Sequence, residues 1–272
     1  MNAKKSSHRY YLWLTMALIM VIGVGCTPAT PEPTNTPVPT AIPEPEQTAT
    51  STLEPTATQV PTETPDLAAT EAAQAAEAAA ALVDETIAPV LEDVGISTDR
   101  GYLAWVLDEP IRLTERSYQT EFYQSIADEE EYGDFVLYAQ VLWDSTGGEA
   151  YCGIKFRSDR DLFDGDRYEF FVTRFSGLPW WDFALFRDGY IESFLTGSSY
   201  QYSSDINQDR NSVNEYVLVV DETVATAYVN GKRLGTVTVS NLRNGELGVL
   251  TYQDSGETTC EFQEMWLWSL DE

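Results

Sequence analysis

The chain is poor in histidine, cysteine, basic residues and long apolar runs, and each shortage removes a class of function. Its one histidine is His8, so no imidazole follows it. Ser-His-Asp and Cys-His nucleophiles and imidazole metal sites are therefore excluded downstream. Lys and Arg number 16 against 44 Asp and Glu, for a formal net charge of −28. Phosphate backbones and anionic headgroups need clustered cations, so nucleic acid is excluded as a partner. The longest apolar run, Leu12 to Val24, has 13 residues, too few to span a bilayer as a helix. Aromatic residues are absent from Leu14 to Gly101, so that stretch has little with which to build a core.

What is present divides the chain into four parts. Residues 1–25 have the layout of a signal peptide. Lys4, Lys5 and Arg9 form a basic n-region, and Leu12 to Val24 is the apolar h-region. The segment ends Gly23-Val24-Gly25-Cys26, which resembles the bacterial lipobox, with Gly23 where Leu, Val or Ile is usual. The resemblance implies that Cys26 receives diacylglycerol and that the protein is held at a membrane by acyl chains. The alternative is ordinary signal cleavage with Cys26 as a bystander. From Cys26 onward 44 acids face 13 bases, a net charge of −31.

Residues 26–65 form a tether. Positions 27–65 hold 10 Pro and 12 Thr, a composition that buries almost no apolar surface and stays extended or disordered. At about 3.1 Å per residue its reach is on the order of 100 Å. Residues 66–95 read as a helical spacer. ATEAAQAAEAAAAL is a run of strong helix formers with Asp66 as a candidate N-cap. Val83, Ile87, Val90, Leu91 and Val94 then keep helical spacing, interrupted by Pro89, and can pack on the domain C-terminal to them.

Residues 96–272 read as one all-β domain. The runs DFVLYAQVLW (134–143), YCGIKFR (151–157), YEFFVTR (168–174), DFALFR (182–187), EYVLVV (215–220) and VATAYV (224–229) are strands. Asn230-Gly231 is a hairpin signal, and GTVTV, Gly248 to Tyr252 and Cys260 to Leu270 complete the set. Ten or so such runs without a convincing helix predict an antiparallel two-sheet sandwich. Cys152 and Cys260 form an even pair in an exported chain and predict one disulfide; two buried free thiols are the alternative.

The order EYVLVVDETVATAYVNGKRLGTVTV, GELGVLTY, CEFQEMWLWSL is similar to that of concanavalin A-like, laminin-G-type jelly rolls. The pair DFVLYAQVLW and YCGIKFR resembles the 3-keto-disaccharide hydrolase branch of that group. The resemblance implies a jelly roll over residues 97–271 and admits glycoside cleavage as an activity. Its laminarinase-type members carry Glu-x-Asp-x-x-Glu on one strand, whereas Glu-x-Asp occurs nowhere here. Acids from separate strands remain available for such chemistry, and Glu169 and Glu264 are the strand acids to examine.

Candidate ligand residues come from strand alternation. Tyr151, Lys155 and Arg157 share one face of their strand, opposite Cys152, Ile154 and Phe156. Leu178-Pro179-Trp180-Trp181 reads as a loop presenting aromatics, and Tyr200 and Tyr202 lie in a polar stretch. Asp159, Asp161, Asp164 and Asp166 are calcium-ligand candidates, although Phe163 and Gly165 break the Asp-x-Asp-x-Asp-Gly pattern. No other cofactor is expected. The leading expectation is a non-catalytic, extracytoplasmic, lipid-anchored module that binds glycan or an envelope polymer. A glycoside-cleaving enzyme and a structural or adhesive protein are the alternatives.

Overall fold

The computed structural model describes residues 67–116 and 118–270. The signal region, Cys26, the tether and Asp66 lie outside the described residues. Helix α1 (Leu67–Leu82) carries the alanine run, and its side chains from Ala73 to Ala80 are exposed. A π-type turn (Val83–Ile87) links it to α2 (Ala88–Asp93), where Pro89 occupies the first turn. Proline lacks an N–H and collides with the carbonyl four residues back, so the helix widens just before it. No helix among the described residues is long and apolar enough to cross a membrane.

Fourteen strands come next among the described residues. They are β1 (Tyr102–Val106), β2 (Ile111–Glu115), β3 (Thr120–Ile126), β4 (Phe135–Ser145), β5 (Glu149–Ser158), β6 (Arg167–Phe175) and β7 (Leu178–Arg187). The rest are β8 (Tyr190–Phe194), β9 (Gln201–Tyr202), β10 (Ser212–Asp221), β11 (Val224–Val229), β12 (Lys232–Thr238), β13 (Glu246–Gln253) and β14 (Thr258–Ser269). They form two seven-stranded antiparallel sheets. The first has the order β1-β14-β4-β10-β11-β12, with β2 also on β14. The second has the order β3-β13-β5-β6-β7-β8, with β9 also on β7. Leu178 to Trp181, expected as a loop, is the start of β7, where Trp181 pairs with Val172 and Pro179 with Arg174.

Alternation sends one side of every strand into a common core. Leu137, Val141, Leu218 and Val220 of the first sheet meet Ile154, Phe170, Phe183 and Val249 of the second. Trp143 belongs to this core and donates its indole N–H to Ser212 Oγ at 3.1 Å. A bulge between Phe262 and Glu264 shifts the alternation of β14, so Phe262 and then Met265 and Leu267 all face inward. Trp266 and Trp268 therefore face outward. They are buried with Val136, Tyr138, Val217 and Val219 beneath Ile87 and Leu91 of the helical segment. The spacer thus covers the outer face of the first sheet.

Cys152 on β5 and Cys260 on β14 form a disulfide, with Cα atoms 5.7 Å apart. Because β5 and β14 belong to different sheets, the bond joins the two layers. It closes a loop of 108 residues, for which chain entropy predicts about 4–5 kcal/mol. Replacing both cysteines by serine is expected to lower the urea midpoint by an amount corresponding to about 2–5 kcal/mol. Equilibrium unfolding with fluorescence detection measures it.

Candidate functional site

With one outer face covered by a helix, the outer face of the second sheet is where side chains can meet a ligand. Tyr151, Gly153 and Lys155 of β5 point outward, since Cys152, Ile154 and Phe156 are in the core. On β6 the same alternation turns out Arg167, Glu169, Phe171 and Thr173, and on β7 Trp180, Asp182, Ala184 and Phe186. Glu121 and Tyr123 of β3 and Tyr252 of β13 join them.

These residues divide into two regions. In the first, Tyr151 stacks between Phe171 (ring centroids 4.9 Å apart) and Tyr252 (4.5 Å). Beside this stack opens a cleft of about 290 Å³ lined by Glu149, Tyr151, Phe171, Asp182, Phe186, Ile191, Phe194, Tyr200 and Tyr252. Tyr200 forms one wall and donates its hydroxyl to Glu149 Oε1 at 2.6 Å. Asp182 is at the floor. Its Oδ2 accepts the Tyr200 N–H at 2.8 Å, and its Oδ1 accepts the Phe183 N–H at 2.8 Å and the Thr196 hydroxyl at 2.5 Å. These bonds fix the loop that carries Tyr200. Burial pushes the Asp182 carboxyl above its ordinary value, against those bonds. Tyr200 also ends an aromatic ridge. It stacks on Phe175 at 5.0 Å and meets Trp180 edge-on at 6.2 Å, and Trp180 meets Tyr202 edge-on at 5.8 Å. Trp180, Tyr200 and Tyr202 therefore come together around one surface continuous with the Tyr151 cleft.

The second region is covered. The β5–β6 loop folds back over the sheet. Leu162 settles over Gly248, where a Cβ would come within 3.1 Å of it, and Phe163 stacks on Tyr123 at 6.0 Å. Beneath the loop lies a chain of charges. Lys155 pairs with Glu121, lies 3.6 Å from Glu169 Oε1 and donates to the Leu162 carbonyl at 2.7 Å. Arg167 Nε donates to Glu169 Oε1 at 2.7 Å, and its guanidinium lies over the Phe186 ring. Lys155 is 0% exposed, so it does not present its amine to a ligand as the sequence suggested.

Other expected residues also change role. Arg157 does not share a surface with Tyr151. It sits at the end of β5 with φ of 45°, is 1% exposed, and is spent on the fold. Its guanidinium donates to the carbonyls of Gly133, Val239, Leu242 and Glu222 and to Asp134 Oδ1, at 2.8–3.1 Å. A hollow of about 730 Å³ is lined by Arg157 with Glu131, Asp134, Glu222 and Arg243, yet its buried cation has every donor engaged. Trp181 faces inward, packed on Phe183 and above Gly235, whose missing Cβ makes room for the ring. Glu264 is exposed on the first sheet, so it cannot act together with Glu169 on the second.

Of the β5–β6 loop aspartates, Asp159, Asp161 and Asp166 accept backbone N–H groups, and Asp164 donates its own N–H to Asp161. Asp161 Oδ1 accepts the N–H groups of Phe163 and Asp164, Asp159 accepts that of Asp166, and Asp166 pairs with Arg187. The Asp161 bonds hold its carboxyl below the usual range, as Arg187 does for Asp166. Among the described residues no group of three His, Cys, Asp or Glu side chains is placed to hold a metal ion.

Glu149, Phe171, Asp182, Phe186, Phe194 and Tyr252 were missed in the sequence. The tandem Phe170-Phe171 was the available signal, because alternation must turn one of the two rings outward.

No protein-family model matches the chain, and no curated protein matches it. Solved structures do. A carbohydrate-binding module from Bacillus subtilis aligns at 16% identity and a TM-score of 0.44, over 56% of this chain and 85% of that one. A Bacillus licheniformis beta-glucanase aligns at 12% identity and 0.42, over 59% and 78%. A Caenorhabditis elegans galectin aligns at 12% identity and 0.36, over 64% and 99%. The architecture, two packed seven-stranded antiparallel sheets, is a jelly roll. At these identities nothing of those proteins' ligands transfers to this chain.

Burial, and then the nearby Glu121 carboxylate, push the Glu169 carboxyl up to about 7 from an ordinary 4.5. A carboxyl raised in the folded state stabilises most fully below its unfolded value and loses that stabilisation as pH rises through the folded one. This group therefore lowers stability as pH rises between those two values. Thermal melts at pH 5 and pH 8 are expected to show a larger loss for the native protein than for Glu169→Gln. In contrast, Arg157→Ala leaves five acceptors without their donor and is expected to cost about 3 kcal/mol or more of stability, read by urea unfolding.

Proposed function

We propose that the sandwich is a glycan-binding module that seats a chain of sugars along the aromatic row of its second sheet. The observation that carries this is the continuity of the row: Tyr252, Tyr151 and Phe171 on one side of the cleft, and Tyr200, Trp180 and Tyr202 on the other. Flat ring faces suit the C–H faces of pyranoses, while the Glu149 carboxylate and tyrosine hydroxyls at the ring edges suit sugar hydroxyls. Tyr202, beside Trp180, is 57% exposed. Aromatics so placed serve contact with a partner better than they serve the core. The module is carried outside the cell on a lipid-anchored tether, a proposal supported by the lipobox-like end at Cys26 and the Pro/Thr composition of residues 27–65.

A second reading is hydrolysis of the bound glycan, as the similarity to 3-keto-disaccharide hydrolases implies. It is supported by two carboxylates, Glu149 and Asp182, lining one cleft. Against it, Asp182 is 1% exposed and holds the Tyr200 loop through both oxygens.

The test is a glycan array with the full chain, followed by titration of the glycans retained. Trp180→Ala and Tyr200→Ala are each expected to weaken binding roughly tenfold, with melting behaviour near that of the native protein. Release of reducing ends would establish hydrolysis instead. Silence across the array would overturn the glycan reading and leave an adhesive or structural role.

A further inference from the structure

The charges around the cleft narrow the kind of sugar it takes. Its lining includes two carboxylates and no Lys, Arg or His. The cations nearby on this sheet are already committed. Lys155 is held by Glu121, Glu169 and the Leu162 carbonyl, and Arg167 by Glu169 and the carbonyls of Phe163 and Gly165. Arg174 donates to the Ser145 carbonyl, and Arg187 pairs with Asp166 and Glu192. Glu149 is only half-buried. Its Oε1 takes the Tyr200 hydroxyl, and its Oε2 has no hydrogen-bond partner among the described residues. Around this carboxylate stand the rings of Tyr151, Tyr200 and Tyr252, with Phe171, Phe186 and Phe194 completing the wall. Ring faces carry negative charge density, so a ring of aromatics with one carboxylate attracts an ammonium group twice over. The local field agrees. The hydroxyls of Tyr151, Tyr200 and Tyr252 are all raised, by burial first and then by neighbours that in each case include Glu149.

Resting on the glycan reading, we infer that the cleft selects amine-bearing sugars, such as 2-amino-2-deoxy-glucose units without an acetyl group, and rejects uronate and sulfate sugars. The free ammonium pairs with Glu149 Oε2 within the aromatic wall, while the ring of the sugar lies on Tyr200. An acetylated amine loses the charge and gains bulk, and a uronate brings a second anion to a cleft without a cation.

The experiment is calorimetric titration of the full chain at pH 5.5 and low salt with four β-1,4 or α-1,4 hexamers: glucosamine, N-acetylglucosamine, glucose and galacturonate. The glucosamine hexamer is expected to bind at least about tenfold more tightly than the glucose hexamer, with no binding of the galacturonate. In Glu149→Gln that ratio is expected to fall toward one. In Glu92→Gln, an exposed acid on the helix over the opposite sheet, the ratio is expected to hold, which separates the cleft from the general acidity of the chain. Equal or tighter binding of the glucose hexamer would overturn the amine preference and leave the glycan reading standing, as would a ratio that Glu149→Gln does not change. Absence of binding to all four, together with silence on the array, would overturn both.

Discussion

Two sheets packed face to face leave two outer faces, and the rest of this structure depends on how each is covered. The inner faces are dense with aliphatic and aromatic side chains, as alternation demands. The outer face of the first sheet is equally apolar, with Val136, Val217, Trp266 and Trp268, and would be insoluble if bare. The π-turn and α2 cover it. The outer face of the second sheet has no helix. Part of it is closed by the β5–β6 loop over a network of opposite charges, and part remains open as an aromatic cleft.

Burying Lys155, Glu169 and Arg167 on that face removes charges from water, and such networks stabilise little in net terms. What they do is position. Lys155 reaches from the middle of β5 to the Leu162 carbonyl and holds the loop down, and Arg167 reaches back to the carbonyls of Phe163 and Gly165. Asp159, Asp161 and Asp166 complete the arrangement by capping backbone N–H groups. Together they set the boundary of the cleft and strip it of positive charge.

The fold was largely legible. Period-2 runs in residues 134–143, 168–174 and 224–229 gave strands close to those observed, and the Asn230-Gly231 hairpin joins β11 to β12. β1 to β3 went unnamed because they are short or mixed: in β2 only Ile111 and Leu113 are buried, with Arg112 and Thr114 outside. β7 was cut short because Pro179 suggested a loop. Pro179 pairs with Arg174 near the start of the strand, where the ladder tolerates a missing donor. The site was half legible. Alternation placed Tyr151 and Lys155 outward correctly, but burial cannot be read from alternation when a distant loop folds over the face. Arg157 escaped the alternation because its backbone turns to positive φ, which no local sequence signal announces. Glu121 and Tyr252 depend on strand neighbours whose registers come from the tertiary fold alone.

The disulfide has a mechanical meaning. The chain enters the domain through a helix on one outer face, while the cleft opens on the other. Tension applied between those two faces acts through the thickness of the sandwich, tending to pull the layers apart rather than slide their strands. Noncovalent packing between sheets resists such separation through many weak contacts that give way one after another. The Cys152–Cys260 bond spans the layers in the direction of that tension. It ties the two layers covalently, which packing alone does not do.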